Sequence, residues 1–164
     1  MSQFIAEGAK YATTKKEGFE TRTTELAYQF AKNKISTTVI SSNSNHLATF
    51  PKYKNTFNPD KHNGVDFWWL KCIQYKNSSS WKRIVSWIEF EVKAILLSFR
   101  LDRHDIIIAT SLSLLSILSG LFYKIKWGSK LVFEIRDIWP LTLTEDGGFS
   151  KFNPFIILMS SLEK

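Results

Sequence analysis

Cysteine is almost missing from this sequence. Cys72 stands alone, so neither a disulfide framework nor a CxxC-type thiolate metal site can be built, and a reducing compartment is the simpler reading. Glycine and proline are also sparse, seven and four in 164 residues, which excludes collagen-like and low-complexity chains. No GxGxxG, GxxxxGK[ST] or GxSxG pattern occurs, so a nicotinamide-dinucleotide fingerprint, a phosphate loop and a serine nucleophile elbow are all lacking. Ser111, Ser113 and Ser116 are better explained by helix capping and small-residue packing. His46, His62 and His104 have no mutual spacing that suits a metal, and they read as surface residues. No basic segment followed by a long apolar stretch opens the chain, so no secretory signal is visible and a cytoplasmic location is expected.

What is present describes a packed domain. Hydrophobic residues make up 44% and aromatic residues 15%, and 164 residues suffice for one core but not for two ordinary domains. The excess of 22 Lys and Arg over 15 Asp and Glu gives a net charge of +7, which implies attraction to something acidic. The basic residues are dispersed and match no recognition signature, so nucleic acid is not the expected partner.

Apolar periodicity places the elements. Ser2 to Ile5 reads as a strand stub, Ala6 to Phe19 as a polar loop, and Glu20 to Asn33 as a helix with Leu26, Ala27, Phe30 and Ala31 on its apolar stripe. Ile35 to Ser41 is strand-prone, and Ser42 to Asn63 is a long loop or loose hairpin rich in Asn, Ser, Lys and Pro. Val65 to Ile73 is an aromatic strand. Trp81, Ile84, Val85, Ile88, Val92, Ile95, Leu96 and Phe99 then recur at the spacing of one side of a long helix. Two readings of that helix stand open: a core helix with a solvated charged face, or a basic amphipathic surface, with Lys82, Arg83 and Lys93, resting on anionic lipid.

Ile106 to Tyr123 has no formal charge over eighteen residues, the lower limit of a membrane span. It divides better into a buried strand through Thr110 and a helix entered through the serines from Ser111 to Ser119. Lys130 to Ile135 is another strand, and Pro154 opens a helix running to Leu162. Strands and helices alternate, which argues for an α/β fold with a parallel sheet and helices on both faces.

In such sheets ligands bind beyond the carboxyl ends of the strands. Two segments qualify. Lys15 to Arg22 carries Gly18 just before a helix, where free N–H groups favour an anion; a plain flexible turn is the competing account. Phe133 to Pro140 delivers Arg136 and Asp137 beside Trp139. Arg136 suits a phosphate, Asp137 suits a hydroxyl proton, and Trp139 offers a flat face to a sugar ring. A structural ion pair is the alternative there.

Four patterns then occur in order: Gly18 with Arg22 and Glu25-Leu26-Ala27; Val39-Ile40; Asp105 to Ser111; and Glu134 to Pro140 followed by Asn153-Pro154 and Leu162-Glu163-Lys164. Together they resemble retaining glycosyltransferases of family four, the branch that builds bacterial capsule, O-antigen and exopolysaccharide. The resemblance implies a GT-B architecture, in which residues 1–164 form the N-terminal, acceptor-side, Rossmann-like domain and the C-terminal donor-binding domain is absent from the chain. It further implies a nucleotide-sugar donor, a glycan or polyprenyl-linked acceptor, no cofactor, no metal, and a place at the inner face of the cytoplasmic membrane. Asp137 and Arg136 are then the catalytic candidates, and Gly18, Arg22, Glu134 and Trp139 bind substrate. Many relatives carry His-Asp where Arg136-Asp137 stands, so the base-like role passes to the carboxylate or to a substrate phosphate. The fragment alone is expected to be inactive. The alternative is a non-enzymatic Rossmann-like module that binds a partner or an anionic membrane.

Overall fold

The structure, a computed structural model, describes residues 3–7, 10–44, 48–50, 52–75, 81–111 and 115–136. The chain divides into two units, Met1–Glu134 and Ile135–Lys164, and every described strand and helix lies in the first. The helix expected from Pro154 lies outside the described residues.

The elements run β1 (Gln3–Glu7), α1 (Arg22–Lys32), β2 (Ser36–Ser42), β3 (Phe57–His62), β4 (Val65–Leu70), α2 (Trp81–Leu97), β5 (Ile106–Thr110), α3 (Ser116–Trp127) and β6 (Lys130–Glu134). They form one six-stranded sheet in the order β3-β4-β2-β1-β5-β6. All neighbours pair in parallel except β3 with β4. The fold is α/β, as the alternation of elements predicts. The strand expected at residues 2–5 continues to Glu7 and occupies the sheet's interior between β2 and β5.

Strand alternation splits the core into two layers. Val39, Phe67 and Trp69 pack with Ala27 and Tyr28 of α1. Ile40, Leu70 and Ile107 pack with Phe90, Ala94 and Leu97 of α2 and Tyr123 of α3. Consecutive residues of β2 thus feed opposite layers, which explains why that strand is buried from Thr37 to Ser42. Phe67 and Trp69, two residues apart on one face, stack with ring centroids 5.5 Å apart.

Of the two readings of residues 42–63, a long loop or a loose hairpin, the hairpin holds for the end of the segment, which forms β3. Asn63 and Gly64 take positive φ of 48° and 81°, the two left-handed residues of a type I′ turn, and this closes β3 onto β4 with His62 opposite Val65. Pro59 sits in β3, at the sheet's edge.

Three further expectations are corrected. First, α2 turns its other side inward. Its buried residues are Ser86, Trp87, Phe90, Glu91, Ala94 and Leu97, while Trp81 and Phe99 are each 69% exposed and Ile88, Val92 and Leu96 about half exposed. Small side chains explain the choice, because they let Tyr123 of α3 reach in and donate its hydroxyl to the Ala94 carbonyl. Second, the helix expected from Ser111 begins at Ser116 with Leu115 as its cap residue and no side-chain cap; Ser116 instead donates inward to the Thr110 carbonyl at 2.7 Å. Third, His104 is buried, not a surface residue. Its Nε2 meets Thr38 Oγ1 at 3.0 Å, its Nδ1 meets the Asp102 carbonyl at 2.7 Å, and its ring stacks on Trp127. Burial pushes its pKa down, with partial compensation from Asp102. His62 is half-buried against Asp60, and His46 lies outside the described residues.

Gly64→Ala places a Cβ at ordinary contact distance, 3.6 Å from Ala31 Cβ, so its whole cost is the left-handed backbone. A loss of about 1 kcal/mol is expected, measured as a lower urea midpoint with an unchanged slope.

Candidate functional site

The five parallel strands end on one edge of the sheet, and the segments that follow them gather there. The loop after β1 is tied to the end of β2: Ser42 N–H and Ser41 Oγ both donate to the Lys10 carbonyl at 3.3 Å, and Ser41 Oγ donates to Ala12 O at 2.7 Å. Further along, Thr14 caps a single 3-10 turn, Lys15–Glu17, and the buried Glu17 carboxylate accepts from both the N–H and the hydroxyl of Thr14. Gly18 closes this turn at φ +124°, its N–H donating to Lys15 O at 3.2 Å. The polar interior of the turn is therefore satisfied by the chain's own carboxylate. At the start of α1, Glu25 is hydrogen-bonded to Glu20, and that bond, followed by the repulsion between the two, pushes Glu25 up.

Arg22, the first residue of α1, pairs with Glu134, the last residue of β6. The two are 112 positions apart and come from the two segments singled out in the sequence. Glu134 is also fixed through its backbone, where its carbonyl accepts from Ser111 N–H at 2.9 Å. The Arg22 side chain is 67% exposed, so the pair adds only about 0–1 kcal/mol to stability; its importance is positional. Gly18 and Glu134 thus share the carboxyl rim. Arg136 belongs to the second unit and is exposed, while Asp137 and Trp139 lie outside the described residues.

A second cluster sits behind this rim. Lys10 is fully buried, its ammonium 5.2 Å from the centres of the Tyr11 and Tyr75 rings. The two tyrosine hydroxyls meet at 3.0 Å, and Trp87 Nε1 donates to Tyr11 at 2.9 Å. Glu91 of α2, 4% exposed, accepts from Ser119 of α3. Among the described residues, Lys10 Nζ and Glu91 Oε1 have no hydrogen-bond partner, an arrangement native interiors seldom tolerate. Burial drives both groups toward neutrality. Lys10 is pushed down to about 7, against the attraction of Cys72 and Glu91, and Glu91 is pushed up to about 7, against Ser119 and Lys10. An acid and a base that both titrate near neutrality occupy one buried region. Burial also raises the Cys72 thiol, which meets Ser42.

Nothing in the polar run from Ala6 to Phe19 distinguishes Lys10 from Lys15 or Lys16. Glu91 did carry a signal, since it falls in the periodic set Trp87, Phe90, Ala94 and Leu97. Among the basic residues of α2, Lys82 is exposed, Arg83 lies over the Trp87 ring at 4.9 Å, and Lys93 is held by Glu89 and the Lys71 carbonyl. Among the described residues, no group of three or more His, Cys, Asp or Glu is arranged to hold a metal ion, and no helix is long and apolar enough to cross a membrane. No family model matches the chain, and no curated protein or solved structure matches it either.

The buried pair gives stability a signed pH dependence. Glu91 favours the fold below its ordinary 4.5, and that contribution disappears as pH rises to about 7. Lys10 favours the fold above its ordinary 10.5, and that contribution disappears as pH falls to about 7. Urea denaturation at pH 5, 7 and 9 is expected to show a trough near neutrality in the wild type that flattens in Lys10→Met/Glu91→Gln; parallel profiles for the two proteins would refute the assignment.

Proposed function

We propose that this chain is the acceptor-side half of a retaining glycosyltransferase of the GT-B type, acting in cell-surface polysaccharide synthesis. The observation that carries this reading is the ion pair of Arg22 with Glu134, because it joins the first and the last of the four patterns on which the resemblance rests. The strand order supports it as well. The parallel strands run β4-β2-β1-β5-β6, a Rossmann-like succession whose winding reverses between β1 and β5, and ligands of such sheets bind beyond the carboxyl ends at that reversal.

In this reading a glycan acceptor lies along the rim. A sugar hydroxyl can accept from the Arg22 guanidinium and donate to the Glu134 carboxylate, so its insertion leaves both charges hydrogen-bonded. Gly18 shapes the turn that presents Arg22. Asp137 orients or takes the proton of the attacking hydroxyl, Arg136 offsets negative charge on the departing nucleotide phosphate, and Trp139 stacks on a sugar ring. The nucleotide-sugar is gripped mainly by a partner half.

Titration calorimetry with water-soluble oligosaccharide repeats, and separately with uridine- and guanosine-diphosphate sugars, tests this. Glycan binding should weaken about tenfold in Arg22→Ala or Glu134→Ala, the loss of one charge-assisted hydrogen bond. Tight binding of nucleotide-sugar, or sugar transfer by these 164 residues alone, would reverse the assignment of sides. Failure of every glycan to bind would remove the glycosyltransferase reading.

A further inference from the structure

The two edges of the sheet are built differently. β3 carries Pro59, which removes a backbone donor. β6, at the opposite edge, has no proline, and among the described strands it has a neighbour on one side only. Lys130 N–H donates to the Asp105 carbonyl at 2.8 Å, and the Glu134 carbonyl accepts from Ser111 N–H at 2.9 Å. Residues 130, 132 and 134 therefore turn their backbone groups toward β5, and Leu131 and Phe133 turn theirs outward.

The side chains along this edge complement themselves. Lys130 and Glu134 stand two places either side of Val132, all three on one face of the strand, and Lys130 and Val132 are exposed. Against a second β6 running antiparallel, the outward groups of Leu131 meet those of Phe133, and Val132 meets its own copy. Lys130 then lies opposite Glu134, twice by symmetry. A slip of one residue sets outward backbone groups against residues whose groups face β5, and a slip of two loses both charge pairs. Arg22 already holds Oε1 of Glu134, and a carboxylate can accept from a second cation.

α3 adds an apolar flank to the same edge. A Cβ on Gly120 would lie 2.9 Å from Leu131 Cδ1 and 3.3 Å from Ala109 Cβ, so the helix rests on both β6 and β5. Ser119, Tyr123 and Lys126 face α2. At about 100° per residue the side away from α2 carries Ile117, Leu121 and Lys124, of which Ile117 is half-buried and Leu121 exposed. Ala109 is level with Phe133, so Gly120 sits near the level of Val132, and Leu121 beside it. With strands about 4.8 Å apart, two such helices come within about 10 Å of each other, the spacing at which helices pack.

We propose that β6 pairs antiparallel with β6 of a second copy of this chain, joining the two sheets edge to edge about a two-fold axis at Val132, with Leu121 of each α3 meeting across it. This inference stands apart from the glycosyltransferase reading, since self-association is read without any glycan. Sedimentation equilibrium of the full chain between about 1 µM and 100 µM should show passage from monomer to dimer and no further. Lys130→Glu and Glu134→Lys should each weaken the dimer at least about tenfold, because each sets like charges opposite one another twice. Equimolar mixing of these two variants should restore it, since every opposed pair is then unlike again, an outcome that misfolded variants cannot give. Leu121→Arg, verified as folded by circular dichroism, should also lose about tenfold or more. Val132→Cys should cross-link to its own copy on oxidation, the Cα atoms of such a pair lying about 4.5 Å apart. A monomer throughout, a dimer indifferent to these charges or not restored by mixing, or assembly beyond two copies would overturn the proposal.

Discussion

The rotational setting of α2 controls most of what is distinctive here. Its inward face is built from Ser86, Trp87, Phe90, Glu91, Ala94 and Leu97, a mixture of two large rings with small and polar groups. The small groups admit α3 at close range, so that Tyr123 reaches the Ala94 carbonyl and Ser119 reaches Glu91. The same rotation brings Trp87 to Tyr11 and so fixes the segment after β1 that carries Lys10. Turning the helix by half a revolution would bury more aliphatic surface. It would also forfeit these bonds and expose two aromatic rings, and the branched residues would hold α3 further off. One helix orientation therefore creates both the buried acid and base and the apolar outer face.

The rim follows from a different constraint. Parallel strands with right-handed crossovers deliver every following loop to the same end of the sheet. Segments as remote as the starts of α1 and β6's last residue then converge without any local sequence signal for the contact. The Arg22 and Glu134 pair is the product of that convergence, and being exposed it can exchange partners at low cost.

The architecture was largely legible in the sequence, and the orientation of its parts was not. Alternation of strand and helix patterns announced the parallel sheet, and the runs from Val65 and Ile106 were strands as their β-branched and aromatic content implied. The α2 face was misjudged because periodicity locates an apolar stripe without saying what it meets; Ile88 and Val92 look like core residues until Phe90 and Ala94 are seen to take that place. β3 was hidden by its composition, Phe57 to His62 being mostly polar with a proline, although Asn63-Gly64 is a strong hairpin signal. Of the candidate site, Arg22 and Glu134 stand out in the sequence and do meet. Lys10 does not stand out, since a buried lysine in a polar loop is defined only by the groups that close over it.

The edge strand β3 has one more consequence. With His62 opposite Val65 across a two-residue turn, ladder bonds alternate along β3, and the Lys71 N–H to Thr56 O bond of 3.0 Å fixes the phase. Pro59 then falls at a position whose nitrogen points away from β4, midway along the open side. An incoming chain seeking to extend the sheet finds the central donor missing, with a lysine two residues on. The fold thus carries its own safeguard against recruiting neighbours into fibrils, at a site where proline costs the native ladder nothing.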